Sequence, residues 1–363
     1  VNNIPFVEHQ APLEEYLRVA ARLFDDLTSG NETAAWRLKR VQPRFREGSV
    51  ADQLNSDDAK LVIAVEHGFE IWSDLERYVE ALRDDETTSR FETAVVFVIH
   101  GDANRLRSML HDHPELVQQR SARCHRATLL HYLAANGIEQ GRQKTPENAV
   151  EIATLLLDAG ADVNAVATMY DEECTTLNML VSSCHPANAG LQIPLAETLL
   201  DHGAAIVEPG SPRPSAIVTA LAFGYLDTAK AIARRFPHHD ELAASAGLGR
   251  IDEVMRLWPD ADANQRHVAL ALAAQHGHSD VVKLLVDNGE DPNRFNPKGY
   301  HGHSTPLHQA ALGGHEAVVR LLVEQGARLD ILDTQFQATP HGWATHAGHQ
   351  RIADYLQAQR LNR

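Results

Sequence analysis

The sequence predicts an all-α fold, a helical N-terminal cap followed by a solenoid of about eight helix-turn-helix units. Two landmarks carry this reading. Near the C-terminus Thr305 and Thr339 are 34 residues apart, and so are Gly314 and Gly348. Shared periods of this length mark stacked repeats, because a single unit cannot bury its own apolar face. A third observation is the composition: 44% hydrophobic and 23% charged residues are those of a folded, water-soluble chain. No apolar run approaches the roughly 20 residues that span a bilayer, and the first ten residues lack the pattern of a secretory signal.

The cleanest unit shows how each residue type works. Thr305 is placed to cap a first helix, and Pro306 sits at the first helical position, where its missing N–H is harmless. The His308 imidazole is placed to reach back to the Thr305 hydroxyl. Ala310 and Ala311 let the helix approach its neighbours, and Gly314 ends it. Val318, Val319, Leu321 and Leu322 supply the apolar face of a second helix, which ends at Gly326. These residues resemble an ankyrin repeat, whose signature includes T-P-L-H-x-A. The resemblance implies an array of paired helices joined by finger loops.

Further copies follow towards the N-terminus. One joins Val268 to Ala271 with Gly277-His278 and Val281 to Leu285; another joins Thr128-Leu129-Leu130-His131 with Gly160-Ala161-Asp162; a third runs from Thr175-Thr176-Leu177-Asn178 to Gly203-Ala204. Degraded units centre on Gly101, Gly224 and Gly249. The spacing is uneven. Gly224, Gly249 and Gly277 are only 25 and 28 apart, so the loops there are shortened. Thr128 and Thr175 are 47 apart, which places an insertion at residues 138–146. A similar extension covers residues 184–192, and an expanded loop covers residues 294–303. Insertions in such arrays gather at one edge and commonly carry specificity.

Ahead of the repeats, apolar residues at helical spacing predict helices over residues 12–27 and 31–41. A third begins after a Ser56-Asp57-Asp58 cap and ends at His67-Gly68-Phe69, and a fourth covers residues 73–82. This segment resembles the helical head of a group of bacterial ankyrin-repeat proteins, around residues 61–72. Residues 125–192 resemble the middle section of the same group. The resulting organisation is a cap at residues 1–89, which shields the first repeat, and an ankyrin-repeat domain at residues 90–363.

Charge and composition exclude several functions. The net charge is −16, with 11 basic against 18 acidic residues in the first ninety. Neither part has the basic surplus needed for nucleic acid, and anionic membrane is an equally poor partner. Three cysteines without CxxC spacing suit a reducing cytoplasm. The 21 histidines are partly explained by the repeat, since His131 and His308 fall in T-x-L-H positions and His278, His315 and His349 follow helix-ending glycines. The pairs His276/His278 and His301/His303 are read as lying at opposite ends of a repeat, too far apart to share an ion. Cys124-His125 and Cys174 match no metal motif. No metal or cofactor is expected, and no nucleophile elbow, P-loop, dinucleotide fingerprint or HExxH occurs. The chain reads more as a binder than as an enzyme.

Two candidate surfaces remain. Polar residues of the extended turns, namely His131, Asn136, Arg142, Gln143, Asn148, Ser182, Ser183, His185 and Gln192, are placed to converge on a small ligand. Arg142 is the natural donor to an anionic group. The competing reading, which the balance favours, has them satisfying one another and folding the insertions down. A closed pocket with a shifted pKa at His185 or His131 favours a small-molecule site or an undescribed enzyme at the turns around residues 136–148 and 182–192; an open groove with exposed aromatics favours a protein. The leading expectation is a scaffold that grips an unidentified partner protein through inner helices and finger loops, with Tyr170, Asn178, Phe295, Tyr300 and Gln309 at the contact.

Overall fold

The computed structural model describes residues 11–45, 54–135, 139–169, 172–207 and 213–361. Asn136 and Tyr170 lie outside the described residues. The chain divides between Ala205 and Ile206 into two compact bodies.

The N-terminal body opens with the four expected helices, α1 (Leu13–Thr28), α2 (Glu32–Val41), α3 (Ser56–Glu66) and α4 (Trp72–Asp84). Asn31 caps α2 by accepting the Ala34 N–H at 3.0 Å. The cap of α3 lies one residue earlier than Ser56. Asn55 accepts from the N–H groups of Asp57 and Asp58, and Asp58 accepts from the Asn55 N–H, closing a capping box. Tyr16, Leu23, Leu38, Ile63 and Leu75 make the core of this head.

Three helix-turn-helix repeats follow in the same body. The first pairs α5 (Glu86–His100) with α6 (Ala103–Asp112), and Gly101 supplies the left-handed turn between them. The second pairs a 3-10 helix, Leu129–Ala134, with α7 (Ala149–Asp158). Its first helix is short because Ala135 turns left-handed at φ 46° and leads the chain into the insertion. Between the second and third repeats the finger zips into a two-stranded antiparallel hairpin, β1 (Val166–Met169) and β2 (Glu172–Thr175), with Ala167 opposite Cys174. The third repeat comprises α8 (Thr176–Ser182), α9 (Cys184–Asn188) in the second extended turn, and α10 (Gln192–Asp201).

The C-terminal body contains five repeats among the described residues: α11 (Ala216–Ala222) with α12 (Leu226–Arg235), α13 (Leu242–Gly247) with α14 (Ile251–Leu257), α15 (Ala263–Gln275) with α16 (Ser279–Asp287), α17 (Pro306–Leu312) with α18 (Glu316–Glu324), and α19 (Pro340–His346) with α20 (Gln350–Leu361). The first helices stack in sequence, and from the second repeat of this body onward so do the second helices. The core between them is continuous, from Val254 through Leu270, Val282, Leu307 and Leu322 to Leu356. Each such side chain, fully buried, contributes roughly 1.5–3 kcal/mol by removal from water. The shortened loops have a plain cause: α15 starts directly from an Asp262/Gln265 capping box, without a finger in front of it.

Two inter-repeat devices explain the motifs. At the helix entry His308 Nδ1 takes the Thr305 hydroxyl at 2.8 Å, which leaves Nε2–H to donate to the Ala338 carbonyl of the next repeat at 3.2 Å. Thr128 and His131 repeat the first of these bonds at 2.8 Å. At the turns, the histidine after each glycine reaches back one repeat. His278, His315 and His349 donate from Nε2 to the carbonyls of Gly247, Gln275 and Leu312 at 2.8–3.0 Å. Each ring lies on the preceding repeat's turn glycine, so that a Cβ on Gly277 stands 2.5 Å from His315 Nδ1. The glycine is thus required twice, for its positive φ and for the ring above it.

Candidate functional site

The insertion of the second repeat folds inward around four charges. Glu92 lies on α5, Arg123 in the loop before the 3-10 helix, and Glu139 and Arg142 in the insertion itself. Arg123 reaches Glu92 at 2.6 Å and Glu139 at 3.2 Å; Arg142 reaches Glu92 at 2.7 Å and Glu139 at 3.1 Å. The Tyr132 hydroxyl donates to Glu139 Oε1 at 2.7 Å. His125 Nδ1 accepts the Ala127 N–H, so its Nε2–H donates to the same carboxylate oxygen at 3.0 Å. The head is tied in as well: Arg123 Nε donates to the His67 carbonyl at 2.9 Å, and its guanidinium lies 4.5 Å from the Tyr78 ring centroid. Gly68 permits this approach, since a Cβ there stands 3.0 Å from Arg123 Cδ.

Burial opposes ionisation of Glu92 and Glu139, but Arg123 and Arg142 outweigh it and hold both carboxyls below the usual range. Burial also opposes protonation of the two arginines, and the carboxylates overcome it and raise both guanidinium groups. The cluster is a neutral set of two plus two charges. Such a set is poor at adding stability and good at specifying one arrangement.

The polar residues expected at the extended turns take separate places. Arg142 is buried and already paired with two carboxylates of its own chain. Gln143 donates to the Glu139 carbonyl at 3.1 Å. Asn148 donates to the Gly101 carbonyl at 2.9 Å, latching the end of the insertion to the first repeat. Ser182 donates to the Met179 carbonyl and Ser183 to the Ala135 carbonyl, while Gln192 donates to the carbonyls of Leu180 and Ser183. His131, Arg142 and Gln143 line a cavity of about 20 Å³, room for a single water. His131 is pushed down to about 4, first by burial, with the Cys174 backbone partly offsetting it. Gln143, Asn148 and His185 border a separate, open groove of about 710 Å³.

In the C-terminal body the fingers carry the exposed chemistry. Asp333 is fully buried, and its carboxylate accepts the N–H groups of Gln335, Phe336 and Ala338 at 2.6–2.9 Å and Trp343 Nε1–H at 3.0 Å. Burial raises its pKa, but these donors prevail and hold it at about 2. On the turn so fixed, Leu332 is 47% and Phe336 65% exposed. The Phe336 ring stands edge-on to Trp343 and His303. Phe295 and Tyr300 are half-buried, whereas Gln309 is buried and donates to Ser304 Oγ at 2.9 Å beneath the expanded finger; Asn178, on α8 of the N-terminal body, is also buried.

One expectation is corrected. His276 and His301 do not lie at opposite ends of a repeat: their Nε2 atoms both lie 2.9 Å from consecutive carbonyls, Leu221 and Ala222, at the end of α11. The expanded finger folds across the inner helices, which a repeat of ordinary finger length would not do. Among the described residues no three His, Cys, Asp or Glu side chains group to hold a metal ion. Cys124, Cys174 and Cys184 form no disulfide with one another. Cys124 donates to the Gly68 carbonyl. Glu92, Arg123 and Glu139 were not singled out in the sequence. The signal for Glu92 was a carboxylate set within the apolar run of α5.

The sequence is similar to that of known proteins. A model of three ankyrin repeats matches residues 270–362, and a single-repeat model matches residues 125–168. Cyclin-dependent kinase 4 inhibitor B of Rattus norvegicus is 32% identical over 124 residues, 32% of this chain and 90% of that protein; the Mus musculus protein matches equally. The inactive serine/threonine-protein kinase TEX14 of Mus musculus is 38% identical over 98 residues, 27% of this chain but only 6% of that protein's length. The chain belongs to the ankyrin-repeat family, whose repeats serve generally as protein-interaction modules. Among the described residues no helix is long and apolar enough to cross a membrane.

Proposed function

We propose that the protein is a cytoplasmic scaffold that recognises a partner protein through the inner-helix face and finger loops of its C-terminal repeats. The observation that carries this reading is the finger built on Asp333. It holds Leu332 and Phe336 rigid and exposed, and a large apolar side chain already fixed in place loses little entropy on binding. Phe295 and Tyr300 extend the same surface, and Gln309 supports it from beneath through Ser304; the expected contact at Asn178 falls in the N-terminal body, on α8. Residues 1–89 serve as the cap of the repeats at 90–363. Two relatives are named as inhibitors of cyclin-dependent kinase 4, which supports a protein target in this family.

A small-molecule site at the extended turns draws on the open groove beside Gln143, Asn148 and His185. It carries less, because Arg142, Ser183 and Gln192 are paired within the chain. A photo-crosslinking side chain placed at 336, with capture from lysate, tests the leading reading. A partner retained near stoichiometry by the native protein, crosslinked from 336 and lost with Leu332→Ala/Phe336→Ala is the expected result. Retention unchanged by that variant counts against the finger.

A further inference from the structure

We propose that residues 297–303 of the expanded finger are a built-in competitor. They occupy the inner-helix face of the C-terminal body, and the partner docks there by displacing them with an extended segment that offers an aromatic side chain and an N–H donor. This rests on the reading of that body as the binding surface.

The finger leaves α16 and is closed at its base by the Asn296 N–H donating to the Ser304 carbonyl at 2.8 Å. Between these residues the chain turns tightly, with the Tyr300 N–H on the Pro297 carbonyl and Gly299 at φ 89°. The tip then crosses back over earlier repeats. His301 Nε2 donates to the carbonyl of Ala222, 79 residues earlier, at the end of α11. Tyr300 is half-buried beside Glu241, the residue that precedes α13. On the other side, the His303 ring centroid lies 5.6 Å from that of Trp343, and the His303 carbonyl accepts the Thr334 N–H at 2.9 Å. The segment therefore runs from the last finger to the first repeat of the body and overlies the face an ankyrin array presents to partners.

It is held lightly. Among the described residues, the His301 bond is the one hydrogen bond that ties residues 297–303 to an earlier repeat. His301 itself adopts φ 61°, a left-handed backbone unfavourable for a residue with a Cβ. The fold of the finger also buries the Asn296 side-chain amide, 4% exposed, with no protein partner for either polar atom. A segment with one hydrogen bond to the earlier repeats and one to the last finger, with His301 left-handed and the unpartnered Asn296 at its base, is poised to leave. Its advantage over a free ligand is its tether, which keeps its local concentration high.

The test uses the full chain and a fluorescein-labelled synthetic peptide of residues 294–304. The variants are one with residues 297–303 replaced by Gly and Ser, and His301→Ala. The expected result is peptide binding at least tenfold tighter to the replaced chain than to the native one, with His301→Ala between them. In addition, the Thr334 amide should exchange at least tenfold faster in His301→Ala. If the replaced chain does not fold by circular dichroism, His301→Ala takes its place in the binding comparison. Equal binding to both chains, or binding to neither, overturns the proposal. Peptide binding that persists while the 336 crosslink finds no partner overturns the scaffold reading, and with it the competing partner, and leaves only the displaceable seating of residues 297–303.

Discussion

The Arg123 guanidinium stands 2.6 Å from Glu92 Oε1, between side chains that are 3% and 1% exposed. Arg123 precedes the second repeat, Glu92 lies in the first, and the same guanidinium holds the His67 carbonyl of the head. One ionic knot thus sets the register of three successive elements.

Breaking that knot on one side leaves a buried charge uncompensated. Arg142→Met is expected to lower stability by about 3–5 kcal/mol. Glu92→Gln/Arg142→Met, which removes one charge of each sign, should lose clearly less than the sum of the two single changes. Urea denaturation of the four proteins measures this coupling. Strict additivity would mean that the charges act independently.

Neutral buried histidines make the fold sensitive to acid. Burial holds His67, His131 and His276 down to about 4, against an ordinary value of 6.5. The folded state therefore binds fewer protons than the unfolded chain between these values. Stability is full above pH 6.5 and falls as the pH drops towards 4, by about 3 kcal/mol for each of the buried pair His67 and His131 once below both values. Thermal melts from pH 7.5 to 4.5 should show a steep fall in Tm, and His131→Asn should flatten it. A Tm independent of pH over this window contradicts the burial of these rings.

Asp333 acts in the opposite sense. Its carboxyl is held at about 2, below the ordinary 3.8, so its contribution is present above pH 3.8 and is lost as the pH falls towards 2. Asp333→Ala at neutral pH should destabilise the C-terminal repeats by about 2–4 kcal/mol, since three N–H groups and the Trp343 indole lose their acceptor. Trp343 fluorescence during denaturation reports it. A loss under about 0.5 kcal/mol would show that the turn holds without the carboxylate.

Two glycines with similar backbones separate strain from crowding. Gly326, at φ 88°, has nothing within 4 Å of an added Cβ, and Gly326→Ala should cost about 1 kcal/mol. Gly277, at φ 81°, lies under His315, and Gly277→Ala should cost about 1–3 kcal/mol more. Adding His315→Ala should reduce that excess relative to His315→Ala alone. Equal losses at the two glycines would remove the ring from the explanation.

The repeats were legible because their causes are local. The Thr305 and His308 cap, the turn at Gly314 and the apolar residues of α18 act within a few positions of one another, so period and spacing expose them. Even Asn55 in place of Ser56 as the cap of α3 is a shift of one residue. The degraded repeats at Gly224 and Gly249 could be found because both turns need a positive φ, and at Gly249 the ring of His278 also leaves no room for a Cβ.

The candidate site was less legible for an equally physical reason. Polar residues close together in sequence, such as Arg142 and Gln143, suggested a ligand. Whether a guanidinium is free depends on carboxylates elsewhere, and Glu92 is 50 residues away. The crossing of the finger to Ala222 was equally hidden, since no local pattern records which distant carbonyl a loop will meet. By itself the sequence determined the family, the helices and their caps, because those follow from neighbours along the chain. Only the tertiary structure decided which polar groups face one another and which remain exposed, because burial and pairing depend on elements that the chain brings together from far apart.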